Sequence, residues 1–234
     1  MNPDSFSPSH EATEAGPLNS LPLTVTSVSP QKKNSDRFSL FHDNLFLIGV
    51  SSQTLTSYSL KEGTQLTRDL YNKLVYAEEL RAAKDRAYRL LARRDHGSEE
   101  LRRKLLNKDL DSNVVEEVIF QCREKDLLND YSYASSFAHD KFHLRSWGPR
   151  KIESALFSKG IPPNVITRVI SDLQEQINPV EACTELVLKR RKHFLREPDS
   201  FKREQKIFRY LAGKGYSSEK IKQAMPNITR RLDA

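Results

Sequence analysis

The sequence predicts an all-α protein: three tandem three-helix repeats in an elongated array, preceded by a small β-hairpin element and a disordered tail. Three observations predict this architecture. Apolar stripes at helical spacing recur along the chain, the pattern returns after 51 and then 55 residues, and the N-terminus is rich in Ser, Pro, Asn and Thr. The predicted boundaries are 1–35 for the tail, 36–65 for the β element, and 66–129, 130–177 and 178–234 for the repeats.

The β element is predicted between Arg37 and Tyr58. FSLF and LFLIGV flank Asp43-Asn44, a pair typical of a hairpin turn, and a Thr/Ser-rich run up to Tyr58 is consistent with a third strand. Lys61-Glu62-Gly63 predicts a second turn. An element this short does not fold alone, so we expect it to pack on the helix that follows. Within the tail, Leu21–Val28 is the only candidate for transient order.

The first repeat sets the pattern. A helix is expected from Thr67, a favourable N-cap, towards Arg94; a second spans 98–108; a third begins after Asp111. Five residues form the apolar face of the third helix: Val114, Val115, Val118, Ile119 and Cys122.

The second and third repeats are found by comparing the sequence with itself at a fixed shift. A shift of 51 residues places Leu101 on Ile152, Leu105 on Leu156, and Gly97 on Gly148. Both glycines are expected at N-caps, with Pro149 as the first helical residue of its helix. A further shift of 55 places Ile152 on Ile207 and Leu156 on Leu211. This third copy is weaker, begins at Asn178-Pro179, and carries about four extra residues near 197–200.

Composition narrows the class of protein. The 234 residues carry a net charge of +7, which favours an acidic partner, most simply nucleic acid. No apolar run approaches the ~20 residues of a membrane helix, and the N-terminus has no secretory-signal pattern, so a cytoplasmic protein is expected. Cys122 and Cys183 are expected to be buried thiols, although a disulfide or a metal pair stays open.

No catalytic constellation is apparent, so we expect a protein that is not an enzyme and has no cofactor. The sequence has no Walker A motif and no nucleophile elbow. His139 and His143 lie four residues apart on a helix, but no third ligand accompanies them and no metal site is expected.

Positive charge is the stronger signal, because basic residues recur around the first two helices of each repeat. The candidate filament- or DNA-binding residues are Arg93, Arg94, Arg102, Arg103, Lys141, Arg145, Trp147, Arg150, Lys151, Lys189, Arg190, Arg191, Lys192, Lys202, Arg203, Lys206 and Arg209. If the repeats stack with a constant rotation, these residues form one basic surface for a polyanion or a repeating filament. For a single arginine a solvated helix face is the plainer reading, whereas the third-repeat cluster favours polyanion contact. Trp147 can stack on a base or a partner, or pack between repeats.

Three stretches also resemble a known family. LLARRDHGSEELRRKLLNKDL, VIFQCREKDLLNDYSYASSFAHDKF and WGPRKIESALFSKGI resemble the RecX family of recombination regulators, over about Asp36 to the C-terminus. The resemblance implies three three-helix repeats and binding to the RecA recombinase filament on single-stranded DNA, with restraint of ATP hydrolysis and strand exchange. It also implies a role in homologous recombination, DNA repair and the SOS response. The family resemblance further implies a monomer that lies in the filament groove, where it contacts the recombinase and additionally single- or double-stranded DNA.

Some positions depart from the family pattern, and alternatives stay open. Gly97 stands where the family usually has Ser or Thr, and Asp109 and Asp126 stand where it has Gly. Filament capping and groove coating are both compatible with the sequence. The rival classes are a DNA-binding regulator of helix-turn-helix type that acts without the recombinase, and a helical scaffold for another acidic protein.

Overall fold

The computed structural model describes residues 20–32, 34–108 and 110–233. The described residues form five strands and eleven helices, and the chain divides after Lys84 into an N-terminal unit and a helical unit. The expectation of a disordered tail over residues 1–19 lies outside the described residues. The predicted boundaries of the three repeats stay predictions.

The N-terminal unit is built on strand pairing. Its elements are β1 (Leu23–Thr24), β2 (Ser27–Gln31), β3 (Asn34–His42), β4 (Leu45–Ser51), α1 (Ser52–Ser57), β5 (Gln65–Leu66) and the first part of α2 (Arg68–Leu91). Strands β2, β3 and β4 form an antiparallel sheet in that order, and β1 pairs with β5. Asp43 and Asn44 link β3 to β4 with positive φ angles of 46° and 65°, which confirms the predicted hairpin turn.

Two expectations for this unit are wrong. Strands β1 and β2 lie inside the segment assigned to the tail, because Val25 and its neighbours become buried only by pairing with later strands, which local composition cannot show. The Thr/Ser-rich run forms helix α1 instead of a third strand. Ser51 caps this helix by accepting a hydrogen bond from the Thr54 N–H, and a local cap of this kind outweighs the β propensity of threonine.

A buried carboxylate joins the sheet to α2. Glu78 is 3% exposed and accepts hydrogen bonds from the Ser51 N–H (2.7 Å), the Thr54 hydroxyl (2.7 Å) and Arg37 (3.0 Å). Burial raises the pKa of Glu78, but these donors and the Arg37 charge outweigh it and leave the pKa below its usual value. Glu78 is therefore ionised and fully bonded at neutral pH.

The helical unit contains the three expected repeats. The first combines the end of α2 with α3 (Ser98–Leu106) and α4 (Ser112–Glu124). The second is α5 (Asp130–Arg145), α6 (Pro149–Ser158) and α7 (Pro163–Gln176). The third is α8 (Pro179–Leu188), α9 (Arg191–Phe194), α10 (Ser200–Lys214) and α11 (Ser218–Asp233). Helices α2 and α3 end two or three residues before the predicted ends, and α9 is an additional single turn that the sequence did not reveal.

The repeat correspondence is confirmed in the cores. The equivalent residues Leu101, Ile152 and Ile207 are each at most 1% exposed, as are Leu105, Leu156 and Leu211. Cys122 and Cys183 are buried, as expected, in the first and third repeats. Burial raises the pKa of the Cys183 thiol to about 12, so this thiol is protonated at neutral pH.

The second and third repeats meet backbone to backbone. The Gly148 N–H donates to the Lys214 carbonyl (2.7 Å), and the Arg150 N–H donates to the Gly215 carbonyl (3.1 Å). These two amides belong to the N-terminus of α6, where a helix leaves its first N–H groups without partners. A Cβ atom on Gly148 would lie 2.5 Å from the carbonyl carbon and oxygen of Gly215. The junction therefore requires glycine at residue 148.

The first and second repeats meet at the equivalent place. The Ser98 N–H, at the N-terminus of α3, donates to the Asp130 carboxylate (2.7 Å) of the second repeat. Gly97 is the N-cap of α3 and Gly148 that of α6, as predicted, and neither helix has a side-chain cap. In the third repeat the corresponding helix, α10, is capped by its own residue Asp199, which accepts from the Lys202 N–H (3.0 Å). Each of the first two repeats is thus capped by the repeat that follows.

Replacing Gly148 with alanine tests this junction. We expect Gly148→Ala to lower the free energy of unfolding by about 1–3 kcal/mol, because the methyl group forces the two backbones apart. The measurement is urea unfolding followed by circular dichroism. Gly213→Ala is the matched control: Gly213 lies in α10 with nothing within 4 Å of its would-be Cβ, so this variant should be neutral or slightly stabilised. Equal stability of the two variants would contradict the junction.

Candidate functional site

The net positive charge of the helical unit lies almost entirely in its third repeat. Residues 85–129 contain 10 basic and 10 acidic side chains, and residues 130–177 contain 6 and 5. Residues 178–234 contain 14 basic and 7 acidic side chains. An electrostatic contact with a polyanion is therefore strongest at the C-terminal repeat.

In the first repeat, two of the candidate arginines are held in ion pairs. Arg102 bonds Glu116 (2.6 Å) and Glu99, and the hydrogen bond with Glu116 is the main reason that its pKa is raised. Arg94 bonds Glu100, which also accepts from Lys104 (3.0 Å). Paired cations of this kind present little net charge to a partner.

The other two candidates in the first repeat are more accessible. Arg93 and Arg103 are exposed, and Arg103 makes a long hydrogen bond to the Glu99 carbonyl (3.4 Å). Neighbouring acidic residues nevertheless balance the charge of this repeat, so these two arginines are weak anchors for a polyanion.

The second repeat arranges its candidates around aromatic rings. The Lys141 ammonium lies 5.5 Å from the centre of the Trp147 ring, and that of Lys151 lies 4.8 Å from it. Lys141 also lies 5.0 Å from the Phe137 ring, which Lys159 approaches to 5.2 Å. Cation–π contacts hold an ammonium group near a fixed place while leaving it able to meet an anion. We call Phe137, Lys141, Trp147, Lys151 and Lys159 the lysine–aromatic ladder.

A separate set of contacts lies at the junction of the second and third repeats. The Lys214 ammonium donates to the Arg145 carbonyl (3.3 Å) and lies 6.0 Å from the Tyr210 ring. The Arg190 guanidinium lies 5.2 Å from the centre of the same Tyr210 ring. Arg145 and Arg150 are exposed residues of the second repeat. The structure therefore brings together candidates that are far apart in sequence.

Several of these residues were missed as site residues. Lys159, Lys214, Phe137 and Tyr210 are not among the predicted site residues. The spacing of Phe137 and Lys141 at i and i+4 on α5 could have revealed part of the ladder. The contact of Lys214 with the second repeat depends on the repeat junction and leaves no local signal.

The roles considered for Trp147, stacking on a base or partner and packing between repeats, stay predictions. Its side chain is half-buried and packs against the core of the second repeat, beside the junction glycine Gly148. The ammonium groups of Lys141 and Lys151 lie near the same ring. Trp147 therefore serves to position Lys141 and Lys151.

The third-repeat candidates divide into held and exposed residues. Arg191 donates to the Leu232 carbonyl at the end of α11 (2.8 Å), and Arg203 pairs with Asp233 (3.2 Å). Lys206 approaches the His193 carbonyl (3.5 Å), and Lys202 lies 3.9 Å from Asp199. Arg191 and Lys202 are exposed despite these contacts, and the remaining candidates, Lys189, Arg190, Lys192 and Arg209, are exposed as well.

Other candidate features were also located. The His139 and His143 rings stack with centres 5.9 Å apart. Across the described ranges, no three His, Cys, Asp or Glu side chains are grouped as a metal site would require. None of the helices in the described part of the chain is both long and apolar enough to span a bilayer.

Comparisons with known proteins match this architecture. The model of the regulatory protein RecX N-terminal domain matches residues 23–67. The models of the first, second and third RecX three-helix domains match residues 83–122, 129–170 and 178–225.

Individual relatives agree. "Regulatory protein RecX" of Listeria innocua is 30% identical over 213 residues, covering 90% of this chain and 78% of the relative. The protein of the same name from Clostridioides difficile is 26% identical, covering 87% and 95%. A crystal structure of regulatory protein RecX shares the fold with a TM-score of 0.71 and 24% identity, over 87% of this chain and 98% of the other.

The fold and charge distribution define a protein of successive three-helix repeats with a basic C-terminal repeat. The matches across its N-terminal unit and all three repeats show more: the chain belongs to the RecX family of regulatory proteins.

The Glu100 cluster predicts a pH dependence. The hydrogen bond from Arg94 lowers the pKa of Glu100 to about 2, against burial and with help from Lys104. Because the folded-state pKa lies below the unfolded one, Glu100 stabilises the fold above about pH 4.5, and this contribution is lost as the pH falls towards 2. Urea unfolding of Glu100→Gln should therefore show reduced stability at neutral pH and a smaller loss on acidification than wild type. A variant with an unchanged pH profile would contradict this assignment.

Proposed function

We propose that this protein binds the RecA recombinase filament on single-stranded DNA and restrains its ATP hydrolysis and strand exchange, without chemistry of its own. The observation that carries the proposal is the concentration of exposed positive charge in the third repeat of a RecX-family chain. The proposal places its action in the cytoplasm, in homologous recombination, DNA repair and the SOS response.

Phosphate groups explain the type of residue at the site. Contacts of lysine and arginine with phosphates supply affinity that does not depend on sequence, which suits a regulator that must act anywhere on a filament. Lys189, Arg190 and Lys192 supply three neighbouring cations at the α8–α9 turn. The ladder adds lysines that ring contacts already restrain, so less side-chain entropy is lost on binding.

The repeats explain how one chain acts on several filament subunits. In this proposal a monomer lies in the filament groove, the fixed junctions hold the second and third repeats in line, and the first repeat contributes contacts that are mainly not electrostatic. Bridging successive subunits in this way restrains their movements and the extension of the filament.

A second function is supported by the same cations. A polyanion site of this charge also suits binding to free DNA, and three-helix units of this size include many DNA-binding domains. A regulator of that kind acts on DNA without the recombinase, and its effect on filament ATPase activity would be absent.

The decisive experiment is a titration of RecA-catalysed, single-stranded-DNA-dependent ATP hydrolysis with this protein at fixed salt. Inhibition at substoichiometric amounts is expected. For the variant Lys189→Glu/Arg190→Glu/Lys192→Glu, the concentration needed for the same inhibition should rise about tenfold or more, because three cation–phosphate contacts become repulsive. Arg191 is left in place because it bonds the Leu232 carbonyl and its loss would disturb α11.

The control variant changes the net charge by the same amount. Lys32→Glu/Lys61→Glu/Lys108→Glu replaces three exposed lysines outside the candidate set and should inhibit as wild type does. An equal loss of inhibition in both variants would show that the effect depends only on net charge. No inhibition by wild type, together with tight binding to bare DNA, would support the second function instead.

A further inference from the structure

A second surface of the third repeat is apolar. A groove of about 680 Å³ lies between α10 and α11, and its apolar lining residues are Phe201, Phe208, Met225 and Pro226. Phe201 is 67% exposed, and Phe208 and Met225 pack with their inner edges on the core of the repeat. An exposed aromatic residue above a packed apolar floor is a typical anchor site of a protein interface.

The equivalent groove of the second repeat differs in character. It lies between α6 and α7 and measures about 340 Å³. The 55-residue shift places Phe208 on Glu153, Pro226 on Ser171 and Met225 on Ile170. Phe208 and Pro226 thus stand where the second repeat has polar residues, although the smaller groove has an exposed aromatic residue of its own, Phe157. The core does not account for Phe201, because this side chain is mostly in solvent.

The rim of the groove indicates the charge of an occupant. Lys222 and Arg230 are exposed lining residues, whereas Glu204 is the one carboxylate among the described residues that line it. The occupant is therefore apolar at its centre and acidic at its edges.

We propose that this α10–α11 groove holds a short amphipathic protein segment of the recombinase subunit, with one bulky apolar side chain beside Phe201 and acidic neighbours facing Lys222 and Arg230. This inference rests on the proposed function, which supplies the partner. It divides the third repeat into a basic side that meets phosphates and a groove that recognises protein.

The test measures binding of the full-length protein to recombinase filaments on single-stranded DNA and, separately, to bare single-stranded DNA. Phe201→Ala should weaken filament binding about tenfold or more and leave binding to bare DNA unchanged. Phe157→Ala is the matched control, because Phe157 is 69% exposed in the smaller groove of the second repeat and should bind filaments as wild type does. Lys222→Gln/Arg230→Gln should also weaken filament binding, as Phe201→Ala does.

Each other outcome overturns the inference in a distinct way. If wild type binds filaments and Phe201→Ala binds equally well, the groove is not the contact and the proposed function stands. Equal weakening on filaments and bare DNA would make the groove a nucleic-acid site. A wild-type dimer that Phe201→Ala dissociates, with filament binding intact, would assign the groove to a second copy of this chain. Failure of wild type to bind filaments would overturn the proposed function as well.

Discussion

The helical unit depends on one constraint, which is that a helix N-terminus must find acceptors for its first amide groups. In the first two repeats the second helix begins with a glycine cap that has no side chain to offer. The acceptors come from the next repeat, as the Asp130 carboxylate for α3 and as the backbone carbonyls of Lys214 and Gly215 for α6. In the third repeat the corresponding helix, α10, uses its own residue Asp199 as the acceptor.

This constraint explains why glycine stands where a helix cap usually has a serine or threonine. A side chain on Gly148 would occupy the space through which the Gly215 carbonyl reaches the helix. The close approach also brings the Lys214 ammonium to the Arg145 carbonyl, on the other side of the junction. Packing and the arrangement of the basic residues thus follow from the same contact.

Much of the helical unit could be predicted from the sequence, because its signals are local. The caps at Asp111 and Asn178 and the buried positions of Leu101 and Ile152 follow from periodicity and helix-end chemistry. Strand β2 could not be predicted in the same way, since its stability comes from pairing with β3. The sequence also could not show which basic side chains are free to contact a partner. Arg102 meets Glu116 on another helix, and Arg191 meets a carbonyl 41 residues away.

The direction of the caps has a consequence for synthesis. A ribosome makes the chain from its N-terminus, so α6 leaves the exit tunnel well before Lys214 and Gly215 are made. The N-terminus of α3 gains its acceptor once Asp130 has emerged, and the N-terminus of α6 gains its acceptors only when most of the third repeat has emerged. Each junction is thereby completed only after part of the following repeat has been made. A nonsense codon within α10 would therefore remove the acceptors of the second repeat as well as the end of the third.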